Sequence, residues 1–203
     1  MTCLGIIDYG AGNLQSVRNS LLAAGEEGRI VRSPADLEGI THLVLPGVGA
    51  FGDCSRALRA QGLDSAITSW IAADKPFLGI CIGYQILFEC SEESPEAAGL
   101  GIFKGKVRRF SDVGLKIPHM GWNPIHLSKA DDPIWTGMQE EPQFYFVHSF
   151  FPEPADESLI AARCDYADNF AAAIRKGKLV ATQFHPEKSQ KLGLELLSNF
   201  LKL

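Results

Sequence analysis

An α/β fold with a mostly parallel central sheet flanked by helices, and with antiparallel or mixed strands in its C-terminal half, is predicted by three features. Short apolar runs of strand length alternate with helical periodicity up to Phe103, the pattern of a parallel sheet covered on both faces. Beyond Phe103 strand-like runs follow one another with mostly turn chemistry between them, which favours antiparallel pairing. The chain has 203 residues, enough to bury a real core. One domain spanning residues 1–203 is expected, without repeats, low-complexity tracts or linkers.

The first strand is Leu4-Gly5-Ile6-Ile7-Asp8. After it, Leu14, Val17, Leu21 and Leu22 share one face of a helix that Asn13 can cap. Strands follow at Arg29 to Arg32, His42 to Leu45 and Pro76 to Ile80, with helices around Ala57 and from Ile67 to Ala73 between them. The second half offers strands at Lys106 to Phe110, Phe144 to Val147, Leu159 to Ala162, Ala171 to Arg175 and Val180 to Phe184. Leu192, Leu196, Leu197 and Phe200 then define a closing amphipathic helix.

Apolar residues make up 46% and charged residues 21%, an ordinary balance for a folded enzyme. A net charge of −5 and a pI near 5.5 argue against a general affinity for nucleic acid or anionic membrane. The N-terminus lacks a basic region and Asp8 interrupts its apolar run, so no signal peptide is expected and the cytoplasm is the expected location. The five cysteines (Cys3, Cys54, Cys81, Cys90, Cys164) are scattered and form no Cys-x-x-Cys pair. Neither a disulfide framework nor a metal site is expected, and no cofactor is implied.

Two glycine-rich turns suggest nucleotide binding at first sight. Gly10-Ala11-Gly12 follows a strand, but Gln15 stands where the dinucleotide fingerprint needs its third glycine. Pro46-Gly47-Val48-Gly49 also follows a strand, but the Walker lysine and Ser/Thr are missing. Its N–H groups, at Val48 and Gly49, would lie at the carboxyl edge of the sheet, where they could serve an oxyanion. Glycine tolerates either sign of φ, so the Val48 peptide could present N–H or C=O to that edge.

Phe77-Leu78-Gly79-Ile80-Cys81-Ile82-Gly83-Tyr84-Gln85 is the most informative segment. An apolar strand enters Gly-x-Cys-x-Gly, and a helix is expected to follow over Gln85 to Glu89. This is the cysteine form of a nucleophile elbow, a strained strand-to-helix turn whose flanking glycines relieve crowding. The helix start favours thiolate at Cys81 and aims the Ile82 N–H at a developing oxyanion. The other four cysteines are expected to be structural. Of the five histidines, His185 alone ends a strand within His185-Pro186-Glu187. On an extended chain Glu187 falls on the same side as His185, and Pro186 holds the pair. Nucleophile, base and orienting acid are thus available as Cys81, His185 and Glu187.

These motifs resemble the class I, or triad, glutamine amidotransferases. Asp8-Tyr9-Gly10-Ala11-Gly12-Asn13, Pro46 to Phe51, Pro118-His119-Met120-Gly121-Trp122-Asn123, Tyr145 to Ser149 and His185 to Ser189 extend the resemblance over nearly the whole chain. More narrowly they resemble the glutaminase subunits of imidazole glycerol phosphate synthase. Ile82 and Tyr84 stand where Leu and Met are commoner in that group, and Phe150 where Tyr is common. The resemblance implies hydrolysis of L-glutamine through a thioester on Cys81, with ammonia passed to a separate (β/α)₈-barrel cyclase subunit in a heterodimer. It also implies that Gly47, Gln85 and main-chain groups near His148, Ser149 and Phe150 hold the substrate. Trp122, on what reads as a Gly/Asn-rich loop, is a candidate partner anchor, with burial in the core as the competing reading. Lys188 and Asn13 are further interface candidates. An amidotransferase subunit of another synthase, and a non-catalytic partner-binding scaffold, are the alternatives.

Overall fold

Period-two alternation in short strands decides which side of the sheet each residue enters. The computed structural model describes residues 2–11 and 13–203; Met1 of the N-terminal run and Gly12 of the Gly10-Ala11-Gly12 turn lie outside the described residues. The first half runs β1 (Leu4–Ile7), α1 (Leu14–Ala23), β2 (Gly28–Val31), β3 (His42–Leu45), α2 (Phe51–Ala60), α3 (Leu63–Ala72), β4 (Phe77–Ile80) and the single turn α4 (Ile82–Gln85). The second half runs β5 (Cys90–Ser91), β6 (Gly105–Arg109), β7 (His119–Pro124), β8 (His126–Leu127), β9 (Gln143–His148), β10 (Phe150–Pro154), β11 (Ile160–Asp165), β12 (Asn169–Lys176), β13 (Leu179–Thr182) and α5 (Gln190–Phe200).

Among the described residues the main sheet has eight strands in the order β2-β1-β3-β4-β13-β12-β11-β8. From β2 to β13 the neighbours are parallel, and from β13 to β8 they are antiparallel. The expected α/β class and the change of pairing in the second half are therefore both present. Two smaller sheets, β10-β6-β5 and the antiparallel ribbon β7-β9, complete the fold. Strands β7 and β10 were not expected, because Pro118, Gly121 and Pro124 in and around one and Pro152 and Pro154 in the other read as turn chemistry.

Leu4, Ile6, Val44, Leu78 and Val180 face one core, which α1 closes with Val17 and Leu21 and α5 closes with Leu196, Leu197 and Phe200. Ile7, Leu43, Leu45, Phe77 and Leu179 face the other, covered by Phe51 and Leu58 of α2 and by Leu63, Ile67 and Trp70 of α3. Each fully buried apolar side chain of this size contributes roughly 1.5–3 kcal/mol, so the sheet is pinned from both faces. Asn13 caps α1 as expected, its Oδ1 accepting from the Ser16 N–H at 3.2 Å. No helix among the described residues is long and apolar enough to cross a membrane.

Candidate active site

At the end of β4 the chain reverses into α4 within one residue. Cys81 holds φ +53° and ψ −106°, a conformation that a non-glycine residue keeps only when its surroundings over-determine it. Here its N–H donates to the Thr182 carbonyl at 2.8 Å, and its carbonyl accepts from the N–H groups of Tyr84 and Gln85 at 3.0 Å each. The flanking glycines are required by close approach. A Cβ at Gly79 would lie 2.5 Å from the Gly83 oxygen, and one at Gly83 would overlap the Leu45 carbonyl.

The helix expected over 85–89 is not formed. The helical turn is Ile82–Gln85, and residues 99–102 take the carbonyls that a longer helix would need. Leu100 N–H donates to Ile86 O at 2.8 Å, Ile102 N–H to Leu87 O at 2.9 Å and Gly99 N–H to Glu89 O at 2.9 Å. One turn does not sum to a full macrodipole. What it offers is N–H groups without intrahelical partners, that of Ile82 first among them.

β13 ends at Thr182, and His185 is extended (φ −103°, ψ 95°) before a 3₁₀ turn at Pro186–Lys188. Glu187 therefore reaches His185 through a turn, not along a strand. Its Oε1 lies 2.7 Å from His185 Nδ1, and a carboxylate oxygen accepts, so Nδ1 carries the proton. Ser189 fixes the turn: its hydroxyl donates to the His185 carbonyl at 2.7 Å and accepts from the Tyr145 N–H at 3.0 Å. Burial disfavours a charged His185, but the proximity of Cys81 and the Glu187 carboxylate outweigh it and hold the imidazole up at about 9. Nε2, on the Cys81 side, makes no hydrogen bond, which leaves it free to exchange a proton. Cys54 and Cys164 differ: burial pushes each thiol up to about 12, the behaviour of inert structural cysteines.

Cys81 and His185 open into a cavity of about 340 Å³, the size of a small-molecule site. Val48, Gly49, Ile82, Gln85, His148, Ser149, Phe150 and Lys188 all line it. Gly47 is not among the lining residues but packs against Ile82: a Cβ there would stand 2.7 Å from Ile82 Cβ and 3.1 Å from the Tyr9 hydroxyl. That hydroxyl completes no hydrogen bond. Gly49 has φ +113°, so the loop uses the left-handed freedom expected of it.

Three residues were missed from sequence. Glu93 lines the cavity, with one oxygen accepting the Phe51 N–H at 2.8 Å. Val147 lines it as well. Gln183 donates to Cys81 Sγ at 3.6 Å and accepts from Gln85 Nε2 at 3.1 Å, while Gln85 Nε2 also donates to Phe150 O at 2.9 Å and Gln85 Oε1 is left without a partner. Gln183 sits two residues before His185, a signal that was available. Glu93 carries none, because it belongs to a turn brought in by tertiary packing.

Trp122 and Asn13 lie outside the cavity. Both expectations about the setting of Trp122 are corrected: it is on strand β7, not a loop, and at 45% exposure it is not core. It pairs with Tyr145 across the ribbon, ring to ring at 6.2 Å and 73°, and Lys188 Nζ stands 5.9 Å over the same Tyr145 ring. Among the described residues no cluster of three or more His, Cys, Asp or Glu side chains could hold a metal ion.

A family model described as glutamine amidotransferase class-I matches residues 5–203. The imidazole glycerol phosphate synthase subunit HisH of Synechococcus sp. (strain JA-3-3Ab) is 50% identical over 201 residues, 98% of this chain and 93% of that protein. The protein of the same name from Acinetobacter baylyi (strain ATCC 33305 / BD413 / ADP1) is 43% identical over 100% of this chain and 98% of its own. Among solved structures, one titled "Structure of PurLQS from Thermotoga maritima" superposes with a TM-score of 0.77 at 19% identity, covering 100% of this chain and 99% of that one. At that identity the likeness speaks for the fold.

Proposed function

The chain belongs to the class I glutamine amidotransferases, and on that premise we propose that it is the glutaminase subunit of an imidazole glycerol phosphate synthase. It hydrolyses L-glutamine to glutamate and ammonia, an assignment supported by relatives of that name at 43–50% identity over nearly the full chain. The observation that carries the mechanism is the 2.7 Å His185–Glu187 contact beside a cysteine held at positive φ in the same cavity.

The proton surrendered by the Cys81 thiol rests on His185 Nε2, in keeping with an imidazole held up at about 9, and the sulfur attacks the carboxamide carbon. Glu187 keeps the Nδ1–H tautomer and offsets the imidazolium charge. The oxyanion draws on the Ile82 N–H and on Val48 and Gly49. His185 returns the proton to the departing nitrogen, ammonia leaves, and a γ-glutamyl thioester remains on Cys81. Water, deprotonated by His185, attacks the thioester, and glutamate departs as the thiol recovers its proton. The unpartnered Gln85 Oε1 suits a substrate N–H, and the Glu93 carboxylate suits the α-ammonium. Gly47, Ser149 and Phe150 hold the remainder through main-chain groups, as does His148.

Residues 1–203 act as one domain, which is supported by two cores sharing one sheet, and the compartment is the cytoplasm. The partner is a (β/α)₈-barrel cyclase in a heterodimer. It docks on the outward face of the β7-β9 ribbon, where Met120 and Trp122 are exposed beside Tyr145, with Lys188 and Asn13 at the margin, and ammonia passes to it without meeting bulk water. The Val48 peptide is a switch in this scheme: Gly47 and Gly49 flank it, Gly49 at φ +113°, and turning its N–H to the cavity supplies a second oxyanion donor, typically worth on the order of 10²–10³ in turnover. An electrophilic glutamine analogue should label Cys81 alone, read by peptide mass mapping, and glutamate release should rise when the cyclase and its ligand are added. Labelling elsewhere, or full activity in the free chain, counts against the mechanism or the switch respectively.

A further inference from the structure

Behind the cavity runs a chain of polar groups that takes no part in the proton transfers of the hydrolysis. Asn123 Nδ2 approaches His119 Nε2 at 3.4 Å, His119 Nδ1 lies 3.2 Å from His148 Nε2, and His148 Nδ1 lies 2.8 Å from the Phe150 carbonyl. A carbonyl only accepts, so His148 must carry its proton on Nδ1. A neutral His148 then accepts at Nε2, which obliges His119 to donate from Nδ1 and to accept at Nε2 from Asn123. Each step leaves one tautomer. Both rings are held neutral by burial, His119 at about 4 and His148 at about 3, so no charged form disturbs the direction of donation. Asn123 is anchored in turn by donating to the Asp165 carbonyl at 2.9 Å.

The end of this chain is a substrate-side group. The Phe150 carbonyl accepts from both His148 Nδ1 and Gln85 Nε2, and Gln85, Ser149 and Phe150 all line the cavity. We infer that His119 is a positioning residue for the glutamine pocket: by donating to His148 it locks the tautomer that clamps the Phe150 peptide and, with it, Gln85. Its ring is itself fixed between Phe146 and Tyr166, stacked at 4.8 Å and 4.1 Å. His119 also alternates along β7 with the exposed Met120 and Trp122, so one strand carries the outward apolar patch and the inward clamp.

The inference rests on the glutaminase reading, and the test separates the two. His119→Phe keeps the stacking and deletes the donor; His119→Asn places an amide N–H near the lost Nδ1 position. Steady-state glutamate release from the full chain, with and without the cyclase, should show KM for L-glutamine about tenfold higher in His119→Phe with kcat nearly unchanged, the scale of one net hydrogen bond. His119→Asn should recover most of the difference. Imidazole ¹⁵N shifts of the wild-type chain should report His148 as the Nδ1–H tautomer, and His119→Phe should populate the other. An unchanged KM in a folded His119→Phe, a wild-type His148 protonated on Nε2, or a joint fall in kcat and melting temperature without rescue by His119→Asn each overturns the inference. No glutamate release from the wild-type chain under either condition would instead remove the glutaminase reading on which it rests.

Discussion

His148 and His185 border the same cavity and are almost fully buried, yet their protonation is opposite. Burial works against a charge on both. At His148 the bond to the Phe150 carbonyl is the only opposing influence, the other imidazoles add repulsion, and the ring is pushed down to about 3. At His185 the neighbours are Cys81 and the Glu187 carboxylate, and the ring is held up at about 9. Depth in the protein sets the penalty, and the neighbours decide whether it is overcome. One imidazole is thereby fitted to exchange protons and the other to act as a fixed hydrogen-bond donor.

Removing these neighbours is the most direct way to break this contrast. Cys81→Ala should abolish glutamate release, a loss on the order of 10⁴–10⁶-fold, while ammonia-dependent synthesis by the complex persists. It should also lower the His185 pKa, since the proximity of Cys81 is the larger of the two raising influences. A histidine NMR titration reads this, and a His185 still titrating near 9 would show that Cys81 does not set its charge. Glu187→Gln keeps the shape of the His185 partner but removes its charge. Turnover should fall by about 10²-fold, with a smaller drop in the His185 pKa than Cys81→Ala produces.

The contrast also predicts how stability follows pH. His185 has its folded pKa, about 9, above its ordinary 6.5. Its contribution is complete below pH 6.5 and is lost as pH rises towards 9. His119 and His148, at about 4 and about 3, lie on the other side. Their contribution is present above pH 6.5 and is lost as pH falls towards those values, because the unfolded chain binds the protons first. Urea midpoints across this range should describe a dome, and Glu187→Gln should flatten its alkaline side while leaving the acid side in place. An alkaline limb indifferent to Glu187→Gln would mean that the pair does not store the expected energy.

The grouping of Cys81, His185 and Glu187 was legible in the sequence because its parts are local: Gly-x-Cys-x-Gly is a turn, and His185-Pro186-Glu187 closes on itself. The seven strand and helix segments from β1 to β4 were legible for the same reason, since Leu4 to Ile7 or Phe77 to Ile80 show their burial in four residues. What stayed hidden depends on segments distant in sequence. The carbonyls of Ile86 and Leu87 are taken by residues 100–103, so a helical pattern stops after one turn. Glu93 enters the cavity on a turn with no motif of its own. β7 was obscured because its outward positions, Met120 and Trp122, are apolar and its inward ones, His119 and Asn123, are polar, the reverse of the alternation that marks a half-buried strand.

That inversion leads to the smallest expected effect on the chemistry. Trp122 is half-exposed and edge-on to Tyr145, on the strand face opposite His119, so removing its ring opens no cavity in the core. Trp122→Ala should leave the melting temperature of the free chain nearly unchanged, within the ~0.5 kcal/mol typical of surface substitutions. It should also leave the free chain's KM for glutamine and the titrations of His148 and His185 where they were. Association with the proposed cyclase partner should weaken by about 10- to 100-fold, the range of a Trp hot spot, as read by titration calorimetry of the two proteins. Loss of stability in the free chain would show that the ribbon depends on the Trp122–Tyr145 pair for its own folding. Unchanged affinity would move the docking face elsewhere, and would leave β7 with its inward clamp but no outward partner.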